Sequence, residues 1–173
     1  MIEMDEVILV DERDVPLGRM EKMEAHRRAL LHRAFSVFVF SSRGEMLLQR
    51  RAMDKYHSAG LWTNACCSHP RPGEDTAKAA GRRLYEELGF TMPLEKAFEF
   101  TYRSEFDNGL TEYEFDHVYT GVYDGDVYSN PAEVSEHIWL RPEEIRRRLE
   151  EAPQQWTSWF RLAFPMVCEN KKI

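Results

Sequence analysis

Cysteine is scarce in this chain of 173 residues, with only Cys66, Cys67 and Cys168. An odd count in which two members are neighbours excludes a disulfide framework and points to a reducing, cytoplasmic compartment. Long apolar runs are missing too. The longest, Val37-Phe38-Val39-Phe40, is far short of the roughly 20 residues of a membrane-spanning helix. Basic residues are outnumbered, 23 against 30 acidic, for a formal net charge of -7. That excludes broad binding to nucleic acid or an anionic membrane, both of which need basic surface. The acidic stretch Met1–Glu6 lacks the positive n-region of a signal peptide. Internal repeats, low-complexity segments and linkers are absent. What remains is an ordinary globular composition, long enough to bury a core as a single domain over 1–173, expected as a monomer or weak homo-oligomer.

Strand and helix signals alternate irregularly along it. Glu6–Val10 and Phe35–Phe40 are β-branched or aromatic and read as strands, and Asp14–Gly18 reads as a turn. Met20–Leu31 has the pattern of an amphipathic helix. Ser41–Gly44 turns the chain into a strand over Glu45–Gln49, a hairpin; Met53–Gly60 is loop, and Trp62–Cys66 a short strand. Asp75 is a good helix N-cap and Gly89 a stop signal, with Ala77, Ala80, Leu84 and Leu88 on one face between them. Phe98–Phe106 and Glu112–Tyr123 read as strands about Asp107-Asn108-Gly109, and Ile138–Leu140 as a short one. Pro142 opens a helix to about Glu151, and Thr157–Glu169 is a last helix that Pro165 should kink or break. The mixture predicts an α+β layered fold.

The chemistry is concentrated in Thr63-Asn64-Ala65-Cys66-Cys67-Ser68-His69-Pro70. A thiol two residues from an imidazole serves as a nucleophile site, an acid/base site or a metal corner. On the helix after Asp75, Arg82 and Glu86, and Arg83 and Glu87, are four apart, as surface ion pairs or as phosphate and cation ligands. Of six histidines, His26 and His32 are six apart and converge only if a helix ends between them. Glu112 and Glu114 project from one face of a strand. Imidazoles with carboxylates suit zinc, manganese or magnesium better than a thiolate-preferring metal. Lys22, Arg51 and Lys55 are solvated charges or a diphosphate cradle. Trp159 is a core residue or an aromatic face for a cation.

Ser68-x5-Glu74-x7-Arg82-Arg83-Leu84-x-Glu86-Glu87-x-Gly89-Phe90 resembles a Nudix box, with Ser68 where the box has Gly and Arg83 where it has Glu. Losing that acid weakens a divalent-metal cluster at a scissile phosphate. With the Thr63–Pro70 segment, Glu112-Tyr113-Glu114, and Glu21-Lys22 followed by His26 and His32, the chain resembles the type I isopentenyl diphosphate isomerases, a Nudix-fold branch, from about Lys22 to Trp159. The resemblance implies an α/β/α sandwich with a mixed sheet between helices. It implies interconversion of isopentenyl and dimethylallyl diphosphate, with Cys67 and Glu114 as the acid/base pair. His26, His32, His69, Glu112 and Glu114 would bind one divalent metal (Mn2+, Zn2+ or Mg2+), and Glu87 a Mg2+ that accompanies the diphosphate. Lys22, Arg51, Lys55 and Arg83 would hold the diphosphate, with Trp159 and Tyr102 facing the hydrocarbon. A Nudix diphosphate hydrolase and a non-catalytic Nudix-like binding module are the competing readings.

Overall fold

The computed structural model describes residues 5–173; the first four residues of the acidic N-terminal stretch lie outside the described residues. Nine strands form one mixed sheet: β1 (Glu6–Val10), β2 (Pro16–Glu21), β3 (His32–Phe40), β4 (Met46–Arg51), β5 (Trp62–Asn64), β6 (Cys66–Ser68), β7 (Glu95–Glu105), β8 (Thr111–Val122) and β9 (Val134–Leu140). The helices are α1 (Lys22–Arg27), α2 (Thr76–Leu88), α3 (Pro142–Glu151) and α4 (Ser158–Lys171). β3 is the hub. It runs parallel to β8 from His32 opposite Glu114 to Phe40 opposite Val122, and pairs antiparallel with β1, β4 and β6.

Alternation along β3 builds the layers, because successive side chains point to opposite faces. Phe35, Val37 and Val39 join Ala80, Leu84 and Leu88 of α2 in one core. Phe38 and Phe40 join Ile145 of α3 and Phe160 and Phe164 of α4 in another. Fully burying one such leucine or phenylalanine contributes about 1.5–3 kcal/mol. The result is the expected helix–sheet–helix sandwich, with the site on the α4 side.

Some local expectations fail for identifiable reasons. Helix Met20–Leu31 is not formed: β2 runs to Glu21, and α1 covers only Lys22–Arg27. Pairing of Pro16–Glu21 with β1 overrides the local helical pattern, and turns the expected loop at Pro16–Gly18 into strand. The β3–β4 hairpin pairs only beside its turn, Phe40 opposite Met46, and the strands then splay towards different partners. Ala77 is exposed in the first turn of α2. Pro165 lies inside α4 without ending it. Pro165 and Arg161, whose carbonyl loses its donor, are both exposed, so solvent can serve that carbonyl. Burial of Trp159, Phe160, Phe164 and Val167 outweighs the cost of about 3 kcal/mol.

The start and end of α2 follow the sequence. Asp75 accepts a hydrogen bond from the Lys78 amide, and Gly89 closes the helix at φ 75°, a left-handed conformation that suits glycine. The loop before α2 is tied to it by a fork: Arg82 Nε and Nη2 donate to Glu74 Oε2 and Oε1 at 2.8 and 2.9 Å. These bonds hold the Glu74 carboxyl below its ordinary 4.5. A depressed acid stabilises the fold above its unfolded pKa and loses that contribution as pH falls through the folded value. Glu74→Gln is therefore expected to lower stability by about 0.5–1 kcal/mol at pH 7, with the two proteins converging well below pH 4.5. Melting temperatures measured across that range check this; a difference that persists in acid would mean the fork is not the cause.

Candidate active site

The adjacent thiols are separated by strand alternation. β6 pairs with β3 so that Cys67 lies opposite Ser36 and Cys66 opposite Val37. Cys66 therefore enters the α2-side core, fully buried, where its thiol donates to Glu87 Oε2 at 2.6 Å. Cys67 faces the other side. There its thiol donates to Asn64 Oδ1 at 3.1 Å and accepts from the Trp159 indole Nε1–H at 3.0 Å. Ser36 Oγ lies 3.7 Å from the same sulfur and donates to Asp116 Oδ2 at 2.7 Å. Burial, then the Asp116 charge, push the Cys67 thiol far up, so it keeps its proton at neutral pH.

Strand β8 supplies the acids. Glu112, Glu114 and Asp116 alternate onto the same face, all buried. Glu114 lies opposite His32 of β3 and Tyr102 of β7. Its Oε2 is 2.8 Å from His69 Nε2 and 3.4 Å from His32 Nε2, and its Oε1 accepts the Tyr102 hydroxyl. Burial pushes the Glu114 carboxyl up, but His69 and His32 outweigh it and hold the group well below the usual carboxylate range. The Tyr102 hydroxyl is thus engaged by Glu114.

The histidines meet because α1 ends early. Ala29, at φ 51°, takes the left-handed conformation between α1 and β3, an unusual position for a residue with a Cβ. The reversal sets the His26 and His32 rings 5.0 Å apart, and the His69 ring 4.9 Å from His32. His26 Nδ1 lies 2.7 Å from the Lys22 carbonyl and His32 Nδ1 2.8 Å from that of Leu30. Those contacts fix the Nδ1–H tautomer and leave each Nε2 lone pair bare. Burial holds His26 and His69 down to about 4. His32 is pulled down by burial and pushed up more strongly by Glu114.

A divalent metal fits this arrangement. His26 Nε2, His32 Nε2 and Glu112 Oε2 are buried without a hydrogen-bond partner, a costly state unless something else ligates them. Donor atoms of His26, His32 and His69, and of His69, Glu112 and Glu114, lie within 4.8 Å of one another. Glu87 stands apart from this cluster, buried under Arg83.

The cations line the same cavity. Lys22, Arg51, Lys55 and Arg83 border it with Cys67, Glu114 and Trp159. Glu133, which nothing in the sequence marked, binds both Lys55 and Arg83. Arg51 Nε and Arg83 Nε are buried and unpartnered. Arg51 also lies over the Trp159 ring, 5.2 Å from its centroid. The missed members, Ser36, His57, Asp116 and Glu133, come from four separate segments. Only Asp116 carried a signal, as the third acid at alternate spacing on the Glu112–Glu114 strand.

Fold and site together define a Nudix-fold protein with a His/Glu cluster that could hold a metal ion. The NUDIX domain model matches residues 30–160. Solved structures with the same fold include a protein of Deinococcus radiodurans (24% identity, TM-score 0.72, covering 85% of this chain and 90% of that one). A MutT protein from Methanosarcina mazei is also similar (22% identity, TM-score 0.69, covering 83% and 96%). Among curated proteins, the isopentenyl-diphosphate Delta-isomerase of Pectobacterium atrosepticum is 52% identical over 95% of this chain and 92% of its own. The isopentenyl-diphosphate Delta-isomerase 2 of Aromatoleum aromaticum is 51% identical over 98% and 89%. The chain belongs to the isopentenyl-diphosphate Delta-isomerase family of NUDIX proteins. No helix among the described residues is long and apolar enough to cross a membrane.

Proposed function

We propose that this cavity isomerises isopentenyl diphosphate to dimethylallyl diphosphate and back, with Cys67 and Glu114 as the proton-transfer pair. One observation carries the reading: the Cys67 thiol and the Glu114 carboxyl border one cavity with the buried, unpartnered guanidinium N–H groups of Arg51 and Arg83, the thiol pushed up and the carboxyl held low by their surroundings. Moving the double bond needs a proton added at one carbon and another removed nearby, so one group must hold a proton while the other accepts one. Reversal of the reaction exchanges those duties. Arg51 and Arg83 offer forked donors suited to diphosphate, with Lys22 and Lys55 as point charges.

Protonating an unactivated alkene gives a tertiary cation, which water would trap. Trp159 is 2% exposed and closes the cavity beside the sulfur; its indole face suits a developing positive charge. Tyr102 and Ser36 hold Glu114 and Asp116 in place from behind. His26, His32, His69, Glu112 and Glu114 would hold a divalent ion of Mn2+, Zn2+ or Mg2+ type, whose positive charge would tune the acidity of Glu114. Glu87, which pairs with Arg83, would help hold a Mg2+ that accompanies the diphosphate.

The test is incubation of the metal-loaded protein with isopentenyl diphosphate and Mg2+, followed by proton and phosphorus NMR. Dimethylallyl diphosphate is expected, with the diphosphate intact. Phosphate release without alkene migration would instead make the protein a hydrolase, and no conversion by folded, loaded protein would remove the proposal.

A further inference from the structure

His57 lies in the loop between β4 and β5, outside every motif that marked the site in the sequence. Its side chain is buried, 1% exposed, and its Nε2 has no hydrogen-bond partner. That atom points into the His/Glu cluster: it is 3.3 Å from Glu112 Oε1, and the donor atoms of His26, His57 and Glu112 all lie within 4.8 Å of one another. Stacking on Phe106, with centroids 4.4 Å apart and planes 10° from parallel, and an edge contact with Trp159 explain where the ring sits. They do not explain a buried bare nitrogen, which is unfavourable unless it is ligated. The Ser58 hydroxyl, 3.1 Å from Nδ1, can accept that N–H and leave Nε2 as a lone pair aimed at the cluster.

We infer that His57 Nε2 is a further ligand of the metal ion proposed for this cluster, making six protein donors with His26, His32, His69, Glu112 and Glu114. The inference rests on the metal reading given above. An octahedral ion with bonds of roughly 2.1 Å keeps neighbouring donors roughly 3 Å apart and opposite ones roughly 4 Å apart; His57 already shares a group with His26 and Glu112, and the ion would draw it towards His32, His69 and Glu114. Glu112 links the two halves, belonging both to the group with His69 and Glu114 and to the group with His26 and His57. Two consequences follow from the chemistry. Four imidazoles favour manganese or zinc over magnesium, which prefers oxygen. A sixth protein donor also closes the position that five would leave to water, next to a cavity where water would trap a carbocation.

The direct test uses the full chain, stripped of metal, reloaded with Mn2+ and labelled with 15N-histidine. Pulsed EPR counts the coordinated imidazole nitrogens. Four are expected. Three would overturn the role of His57 while leaving the metal site standing, and none would overturn the metal reading as well. A second measurement is the Mn2+ affinity of His57→Ala. A loss of at least about tenfold is expected, the lower end of what losing even an outer partner of a metal ligand costs, together with one nitrogen coupling fewer. Affinity within twofold of the parent would count against direct ligation.

Discussion

Replacing Cys67 by alanine is expected to lower kcat for alkene isomerisation by about 10²–10⁴-fold, the range associated with one general acid or base, while Cys66→Ala keeps activity within about tenfold. The two residues are neighbours with similar side chains, so the difference must come from direction. Register places Cys67 opposite Ser36 on the α4 face and Cys66 opposite Val37 on the α2 face. Only the first shares a cavity with Glu114 and Trp159. The Cys66 thiol is committed to Glu87, so its loss removes one buried hydrogen bond and a small volume, a cost of about 1–3 kcal/mol read in stability rather than in turnover. Steady-state kinetics on both variants, with melting curves to establish folding, decide the matter. Equal losses of kcat would mean that register does not separate the two roles.

This separation also shows what a one-dimensional reading could and could not supply. α2 was legible because its punctuation is local: Asp75 caps it and Gly89 ends it in a conformation that favours glycine. The Glu112–Glu114 pair was legible because alternation on a strand is local too. Which face each cysteine took depends on the β3–β6 register, a contact between residues 31 apart at Ser36 and Cys67. No periodicity in either segment encodes it. The same holds for α1, where β1–β2 pairing took the first two residues of an apparent helix and the left-handed Ala29 brought His32 back to His26. The resemblance to isopentenyl diphosphate isomerases filled much of the gap, naming His26, His32 and His69 together before any geometry could. It offered nothing for His57, Glu133 or Ser36, whose parts depend only on where their loops and strands fall in space. The hydrogen bond from the Tyr102 hydroxyl to Glu114 likewise depends on the β7–β8 register, which sets the two residues opposite each other.

Glu114→Gln should be the other large loss, again about 10²–10⁴-fold in kcat, and its contrast with Glu112→Gln carries the argument. Both carboxylates belong to one donor group with His69, so either change weakens metal binding, and a chelator should strip both variants more readily than the parent. Their other contacts differ. Glu114 is the acceptor of the Tyr102 hydroxyl and the partner of His32 and His69, and those imidazoles hold its carboxyl low against the upward push of burial. A glutamine there preserves shape and can still accept those hydrogen bonds through its carbonyl, but it cannot take a proton from substrate. Glu112 has no such proton-transfer duty in this scheme: Oε1 faces His57 and Oε2 is left bare for a metal. Raising Mn2+ to saturation should therefore restore most of the turnover of Glu112→Gln and little of that of Glu114→Gln. The comparison is a titration of kcat against metal concentration for both proteins. Full rescue of Glu114→Gln by metal would reduce Glu114 to a ligand, and the proton partner of Cys67 would then have to be sought among the other groups that line the cavity.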